Sequence, residues 1–263
     1  MNILTKTDAR IVVGHRGNRA HAPENTIESF AQAITAGADA IEFDVHVTAD
    51  GIPVVHHDRT VTRTTDGAGE IARLTFEELR RFDAGANFTK DGGESFPYRG
   101  MGHRIPLFEE VVEAFPSTPL LIELKTALAA TGVRRILEQR LATERVLIDS
   151  FRPEALRVFK GSGIATGASR DGIANLAREV MGGRAAKVDF QAVCTPLSYY
   201  GVPLPVKRVA GVAKKYGVPV HVWTINETAV ANDLWLAGVT GIISDDPALM
   251  LRLRARIPTD LPL

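Results

Sequence analysis

Two acidic residues that lie two positions apart in a strand-like segment are the strongest sign of chemistry in this chain. Glu42 and Asp44 alternate with apolar residues, so both side chains fall on one face of a strand. Glu123 and Lys125 repeat this spacing in a second apolar segment. Burying three carboxylates together is costly unless a cation compensates their charge. The pattern therefore predicts one hard divalent cation, Mg2+ or Ca2+, held by oxygen ligands.

Basic residues and histidines accompany these acids. Arg16 and Lys125 bring positive charge and hydrogen-bond donors, which suit a phosphate ligand. His15 and His57 come from separate segments and suit a general acid and base pair. Adjacent strand residues point in opposite directions, so only one of His56 and His57 can face such a site. A cation, basic residues and two histidines together predict phosphodiester cleavage.

Short apolar runs alternate along the chain with segments of helical period, which predicts a (β/α)8 barrel, an α/β fold, with a small inserted cap segment after strand 2. A doubly wound open sheet is the alternative. The first turn, 14–18, argues against that alternative because it lacks the G-x-G-x-x-G nucleotide fingerprint. The predicted strands are 11–13, 40–45, 120–124, 146–148, 164–167, 188–190, 218–223 and 241–243.

The helix that follows the first strand has clear boundaries in the sequence. Residues 26–36 carry apolar side chains at the spacing of one helical face. Asn25 and Glu28 resemble a capping box at its start, and Gly37 suits its C-terminal end. Residues 107–115 repeat the same period, which predicts a second helix there.

In a barrel of this kind the active site lies at the C-terminal ends of the strands. The polar residues predicted at those ends are His15, Arg16, Glu42, Asp44, Glu123, Lys125, Ser150, Gln191, Trp223 and Ser244, with His57 contributed by a return strand. Several of these residues also have an ordinary structural interpretation. Trp223 suits a core position as well as a substrate wall, and the two serines suit caps or hydroxyls bonded to backbone.

One region interrupts the alternation of strands and helices. A turn at 48–51 and a short return strand over 52–57 follow the second strand. We interpret residues 46–104 as an insertion at the barrel rim within a single domain, 1–263, because the segment is too small to bury much core. An open apolar rim around 58–104 would favour a lipid substrate.

Composition excludes several classes of protein. The chain has 263 residues, 45% hydrophobic and 24% charged, with a formal net charge of zero. Such a balance argues against a nucleic-acid or anionic-membrane surface, although it is compatible with a local basic patch. A small-molecule substrate is the partner that phosphodiester cleavage implies. The single cysteine, Cys194, excludes an internal disulfide and suits a reducing compartment. No signal-peptide core or membrane span is evident, so the sequence predicts a cytoplasmic protein; the oligomeric state stays open.

Several separated blocks, in this order, are similar to the glycerophosphodiester phosphodiesterase family, and the resemblance runs nearly from end to end. The blocks are 15–17, 23–26, 42–45, 48–51, 54–58, 63–67, 105–106, 123–125, 150–151, 222–226 and 241–245. Such an ordered set is far more specific than any single block. The segment 191–205 departs from the usual pattern of the family, and Ser244 stands where a threonine is common. The departure at 191–205 is expected to affect substrate choice.

The resemblance implies a barrel with an inserted cap and an enzyme that hydrolyses glycerophosphodiesters to sn-glycerol 3-phosphate and an alcohol. By the same resemblance, the metal ligands would be Glu42, Asp44 and Glu123, and the acid/base pair would be His15 and His57. Phosphate would be bound by Arg16 and Lys125, and Trp223 would line the glycerol pocket. The alternatives are a phosphodiesterase of the lysophospholipase D type, or one for another lipid headgroup. A non-catalytic binding protein on the same scaffold is the competing class.

Overall fold

The computed structural model describes residues 2–258. Its strands are β1 (Ile11–His15), β2 (Ala40–Val47), β3 (Pro53–Val55), β4 (Leu120–Leu124), β5 (Val146–Asp149), β6 (Ala165–Thr166), β7 (Val193–Pro196), β8 (Ser198–Tyr199), β9 (Val202–Pro203), β10 (Val220–Trp223) and β11 (Gly241–Ser244). Its α-helices are α1 (Ile27–Thr35), α2 (Phe76–Leu79), α3 (Phe108–Ala114), α4 (Ala129–Gln139), α5 (Pro153–Arg157), α6 (Arg170–Val180), α7 (Val206–Lys215), α8 (Thr228–Leu236) and α9 (Pro247–Arg254).

The main sheet is a curled parallel sheet in the order β6-β5-β4-β2-β1-β11-β10-β7. A parallel bridge between Gly167 and Ala192 joins its two outer edges. The backbone N–H of Ala168 donates to the carbonyl of Ala192 at 2.9 Å, and that of Gln191 donates to Thr166 at 2.8 Å. These contacts close the sheet, and α-helices follow its strands around the outside. The predicted (β/α)8 barrel is therefore confirmed.

Apolar side chains fill the barrel because its parallel strands are buried on both faces. The interior core consists of Leu4, Ile11, Val13, Ala40, Leu121, Leu147, Ala192, Cys194 and Ile243. Two larger clusters lie between the strands and the outer helices. Successive residues of a strand thus point alternately into the interior core and into an outer cluster. Inward-facing polar side chains can gather only at the strand ends, because apolar side chains fill the interior.

The strand predicted over 188–190 is wrong. The strand of this unit is β7, which begins at Val193. Val188 and Phe190 instead pack against the outer cluster that contains α6 and α7. A Cβ placed on Gly172 of α6 would meet the Phe190 ring at 2.8 Å, which shows how closely the ring covers that helix. The apolar spacing at 188–190 reflects this packing and not strand pairing.

The start of α1 differs by one residue from the prediction. Thr26, not Asn25, is the N-cap, and its side chain accepts a hydrogen bond from the backbone N–H of Ser29. Asn25 adopts a left-handed conformation, with φ of 58°, and its side chain turns towards β2. Gly37 has φ of 96° just beyond the helix end, as the sequence predicts.

The segment after β2 begins with the return strand that the sequence predicts. β3 pairs antiparallel with β2, Val45 lying opposite Val55. Further along, a 3-10 helix at Ile71–Arg73 and helix α2 complete the regular structure of 56–104. The apolar side chains buried together under this segment are Val54, Val61, Ile71, Leu79, Ala84 and Ile105. The segment carries His57 over the C-terminal ends of the strands.

None of the helices within residues 2–258 combines the length and the apolar composition needed to cross a bilayer.

Candidate active site

A pocket of about 270 Å³ opens at the C-terminal ends of the barrel strands. It is lined by His15, Arg16, Glu42, His57, Leu121, Glu123, Lys125, Asp149, Phe151, Cys194, Trp223 and Ile243. Seven of the eight residues that the sequence singled out for a role are in this lining. The eighth, Asp44, lies directly behind it, 1% exposed and bonded to two of the lining side chains. The structure therefore brings all eight together.

The three acids meet because of strand alternation and sheet register. Glu42 and Asp44 point inward from β2, and Asp44 lies opposite Glu123 of the neighbouring strand β4. One oxygen from each of the three carboxylates lies within 4.8 Å of the other two. Glu42 and Asp44 are almost wholly buried, at 6% and 1% exposure.

Two cationic side chains compensate part of this charge. The Nζ of Lys125 lies 2.8 Å from Asp44 and 2.9 Å from Glu123. The Nε of Arg16 lies 3.3 Å from the second oxygen of Asp44. Glu42 accepts a hydrogen bond of 2.9 Å from the Arg16 backbone N–H, and it forms no ion pair with any side chain in residues 2–258. One of the three acids is thus left without a cationic side chain bonded to it.

The acids titrate differently because their surroundings differ. Burial, reinforced by the charge of Asp44, raises the pKa of Glu42 well above its ordinary value. Burial also raises the pKa of Glu123, although Lys125 opposes it. For Asp44 burial acts in the same direction, but Lys125 and Arg16 outweigh it and lower the pKa. Asp44 is therefore kept ionised, whereas ionisation of Glu42 and Glu123 is disfavoured. A bound cation would stabilise the ionised forms of all three.

The donor set fits a hard divalent cation. Three clustered carboxylate oxygens are ligands that Mg2+ and Ca2+ prefer, and each leaves coordination positions for water or substrate oxygens. Zinc usually recruits histidine or cysteine more heavily. Cys194 does lie in the pocket lining, but burial raises the pKa of its thiol well above the ordinary value and so disfavours the thiolate.

Each of the two histidines is bonded to an aspartate. The Nδ1 of His15 lies 2.6 Å from Oδ1 of Asp245, and the Nδ1 of His57 lies 2.6 Å from Oδ1 of Asp58. These bonds fix both rings so that Nε2 is the nitrogen left for a ligand. Burial lowers the pKa of His57. Asp58, bonded to Arg63 and to His57, has its pKa lowered to about 2 against the effect of burial.

His56 does not take part in the pocket. Its Nε2 lies 3.2 Å from the carbonyl of Thr60 within the same loop. Of the adjacent pair, only His57 lines the pocket. Both residues follow β3, which ends at Val55, so the return strand predicted over 52–57 is shorter than expected and the path of the loop, not strand alternation, sets the directions of the two rings.

A partly buried ion-pair network that sequence reasoning missed supports the site. Glu24 lies 2.7 Å from a guanidinium nitrogen of Arg16 and 2.7 Å from one of Arg63. Arg63 also binds Asp58 at 2.6 Å. Asn25 donates to Asp44 at 2.9 Å. The sequence predicts only a capping role for Asn25 and no role for Glu24, so these bonds within the site are a correction. One feature of the sequence could have indicated a role for Glu24. The helix needs only its N-cap residue, Thr26, so the glutamate two positions earlier has no function in starting the helix.

Asp245 was missed for a similar reason. It follows β11 directly, at the C-terminal end of the barrel strands where the site lies. The sequence contains Ser244-Asp245-Asp246, and only Asp246 was needed as the cap of α9. Asn226 and Arg19 also bond Asp245, at 2.9 and 3.2 Å. Burial acts to raise the pKa of Asp245, but the bond to His15 and the charge of Arg19 outweigh it and lower the pKa to about 2.

The remaining predicted strand-end residues divide into two groups. Ser150 donates to the Leu124 carbonyl at 2.8 Å, and Ser244 donates to Asn226 at 3.1 Å, so both hydroxyls hold the backbone and side chains of neighbouring loops. Gln191 does not lie at a C-terminal strand end. It precedes β7 and lines a cavity at the opposite end of the barrel together with Asn2. The misplaced strand at 188–190 is the reason for that error.

Trp223 forms a wall of the pocket together with Phe151, their ring centroids 6.1 Å apart. Phe151 follows β5 and Trp223 ends β10. The Trp223–Thr224 peptide bond is cis. Asp149, which lies opposite Glu123 in the sheet register, is a further acid in the lining that the sequence reasoning missed. Burial and the charge of Glu123 raise its pKa well above the ordinary value.

Comparison with known proteins identifies the family to which this chain belongs. Residues 15–249 match the model of the glycerophosphoryl diester phosphodiesterase family. A glycerophosphodiester phosphodiesterase from Caldanaerobacter subterraneus subsp. tengcongensis is 34% identical over 250 residues, which cover 92% of this chain and 97% of that protein.

Solved structures agree with this match. The structure of a phosphodiesterase from Oleispira antarctica in complex with the product sn-glycerol-3-phosphate is similar with a TM-score of 0.76 and 28% identity, covering 94% of this chain and 97% of that one. A glycerophosphodiester phosphodiesterase from Thermotoga maritima is similar with a TM-score of 0.71 and 27% identity, covering 93% and 98%.

Proposed function

Because this chain belongs to the glycerophosphoryl diester phosphodiesterase family, we propose that it hydrolyses glycerophosphodiesters to sn-glycerol 3-phosphate and an alcohol, with a divalent cation and two histidines. One observation carries the proposal. A single pocket gathers a carboxylate cluster, two basic side chains and two aspartate-bonded histidines.

Glu42, Asp44 and Glu123 are the residues that would hold the cation, either Mg2+ or Ca2+. When bound, it supplies positive charge that stabilises the negative charge developing on the phosphate in the transition state. Glu42 is the acid without an ion-pair partner in residues 2–258, and burial disfavours its charged form. This combination supports the assignment.

Arg16 and Lys125 bind the phosphate oxygens in this proposal. Both side chains line the pocket, and their charges stay fixed near neutral pH because neighbouring acids raise the pKa of each. Charge-assisted hydrogen bonds of this type are among the strongest that a protein makes. Trp223, which lines the pocket, is the wall against which the carbon atoms of the glycerol would pack.

His15 and His57 form the acid/base pair. One removes the proton from the attacking hydroxyl, and the other protonates the oxygen of the leaving alcohol. Asp245 and Asp58 orient the two rings through Nδ1. The attacking hydroxyl belongs either to the glycerol, which gives a cyclic phosphate that water then opens, or to water directly.

A coupled assay for sn-glycerol 3-phosphate tests the proposal. The purified chain is incubated with glycerophosphodiesters of glycerol, ethanolamine and choline, first in chelator and then with Mg2+ or Ca2+ restored. We expect product only after a cation is restored. Binding of the diesters without product would instead support a non-catalytic binding protein, and product formed equally well in chelator would contradict the role of the cation.

A further inference from the structure

A row of four aromatic rings leads from the pocket to the molecular surface. Trp223 and Phe151 line the pocket, and their centroids lie 6.1 Å apart. Phe151 and Tyr199 are also 6.1 Å apart, and Tyr199 and Tyr200 are 4.6 Å apart. We call these four residues the aromatic ladder. Each ring of the ladder therefore contacts the next one, from the pocket to the hairpin.

The outer end of the ladder stands on a small hairpin made of β8 and β9. Tyr200 and Gly201 form the turn, and Tyr200 has φ of 48°, a left-handed conformation that is unfavourable for a bulky residue. The ring is 89% exposed, and Leu197 and Val202 beside it are exposed too. The two-residue turn accounts for this left-handed backbone, since Gly201 also has a positive φ, of 77°. The exposed apolar side chains at the tip are the surface that a ligand would bury.

Charges around the ladder indicate what kind of ligand it suits. Arg170 donates to the Tyr199 hydroxyl at 2.5 Å, and its guanidinium lies 5.4 Å from the centre of that ring. Arg170, Arg152 and Lys125 line an adjoining cleft of about 560 Å³, together with Glu123 and Glu154. Arg170 therefore already interacts with the Tyr199 ring and would repel a quaternary ammonium. An uncharged chain meets no such obstacle.

We propose that the aromatic ladder binds an uncharged alkyl chain of the diester substrate. The chain is attached either to the glycerol, as in a lysophospholipid, or to the phosphate as the leaving alcohol. This inference rests on the proposed function, because the inner rings of the ladder belong to the same pocket. It gives a role to the segment 191–205, in which the sequence departs from the usual pattern of the family.

Two substrate series separate the sources of the chain. One varies an n-alkyl alcohol on glycerophosphate from two to ten carbons, and the other varies the acyl chain of a lysophosphatidyl diester. Each methylene buried against the rings is expected to raise kcat/KM roughly two- to fourfold, until the chain passes the hairpin tip. The series that shows this rise identifies the side to which the chain is attached. Cleavage of short diesters with no rise in either series would overturn the inference and leave the proposed function standing, whereas no cleavage of any diester would contradict both.

Variants locate the effect on the ladder. Tyr200→Ser should abolish the rise of kcat/KM for the longest chains, those that reach the hairpin tip, and keep the rise for shorter chains. Met181→Ser is the matched control, since Met181 is also strongly exposed, at 78%, but lies at the end of α6 outside the ladder. We expect that control to keep the full chain-length dependence. Equal slopes in both variants and the parent would contradict binding at the hairpin.

The charge argument has its own test. Glycerophosphocholine is compared with the diester of 3,3-dimethylbutanol, which has the same shape without the positive charge. We expect the neutral diester to have the higher kcat/KM, and Arg170→Gln to narrow the difference. A preference for choline that Arg170→Gln leaves unchanged would show that the ladder binds cations instead.

Discussion

The two proposed catalytic histidines are each bonded to an aspartate, but their positions in the fold and their surroundings differ. His15 ends β1 and is almost buried, whereas the His57 side chain is about a third exposed on the loop after β3. The Nδ1 of His15 is bonded to Asp245, which follows β11, and the Nδ1 of His57 is bonded to Asp58, the next residue in the chain. The chain therefore uses one barrel strand and one inserted loop to face two imidazoles into the pocket.

We expect His15→Ala and His57→Ala each to lower turnover by roughly two to four powers of ten, the usual effect of losing an acid/base group. Steady-state assays with cation present would measure this loss, and thermal unfolding would show that both variants still fold. His21→Ala is the control, because His21 is half-exposed and paired with Asp246 outside the pocket. Turnover of either pocket variant equal to that of the control would contradict the assignment.

Glu123→Gln should weaken binding of the cation and abolish activity at ordinary cation concentrations, because the amide keeps the shape of the side chain and removes its charge. Calorimetric titration with Mg2+ or Ca2+ measures the affinity directly. Glu154→Gln, on the exposed rim of the adjoining cleft, should leave the affinity unchanged. Full activity of Glu123→Gln in chelator would disprove the cation site.

At the scale of elements, the loop after β1 depends on close packing between that strand and α1. A Cβ on Gly14 would meet the Gly17 carbonyl oxygen at 2.6 Å and the Ala33 side chain at 2.9 Å. Neither a backbone oxygen nor a buried helix residue can move aside cheaply. The absence of a side chain at Gly14 thus lets α1 approach the strand that carries His15 and Arg16.

Gly14→Ala should therefore lower the free energy of unfolding by about 1–3 kcal/mol, the usual cost of overpacking. Denaturant unfolding at neutral pH would measure it. Gly211→Ala provides the opposite case, because Gly211 lies within α7 with open space around its Cα. That change should stabilise the protein by roughly 0.5–1 kcal/mol through helix propensity. A stabilising effect at both positions would show that α1 can shift away from β1 at little cost.

At the scale of the whole molecule, the N-terminal segment closes the barrel end opposite the pocket. Leu4 is fully buried in the interior core. His221 of β10, also fully buried, places its Nε2 2.8 Å from the Leu4 carbonyl. Burial lowers the pKa of His221 to about 4. The ring is therefore neutral at pH 7 and holds the N-terminal segment as a hydrogen-bond donor.

This burial predicts a loss of stability in acid. Below about pH 6.5 the unfolded chain binds a proton at His221 that the folded chain refuses, so the free energy of unfolding falls until the pH reaches about 4. One group with this difference in pKa contributes about 3 kcal/mol. Urea unfolding at pH 7 and pH 4 would measure the fall.

His221→Gln should show a smaller fall between the two pH values, because an amide can still donate to Leu4 but does not titrate. His46, whose pKa burial also lowers to about 4, accounts for part of the fall that remains. An identical pH dependence in the variant and the parent would show that His221 does not contribute.

The sequence by itself was enough for the barrel and for the eight residues predicted to have a role in the site, but it did not indicate Asp149 in the pocket lining or Asp245 beside His15. Eight apolar runs separated by helical segments have few other folded arrangements. Alternation along each strand then placed Glu42 with Asp44, and Glu123 with Lys125, on inward faces. These inferences succeed because strand alternation and the position of strand ends are local properties, readable over a few residues.

Tertiary structure alone decided the partners of those residues. His15 with Asp245, Arg16 with Glu24, and Asp44 with Asn25 are pairs brought together by sheet register and by a left-handed turn. The ladder through Phe151 and Tyr199 likewise joins loops that follow different strands. Such contacts depend on the barrel closing and on each loop's path. No local pattern in the sequence contains that information, since a polar residue that caps a helix and one that orients a histidine have the same side chain.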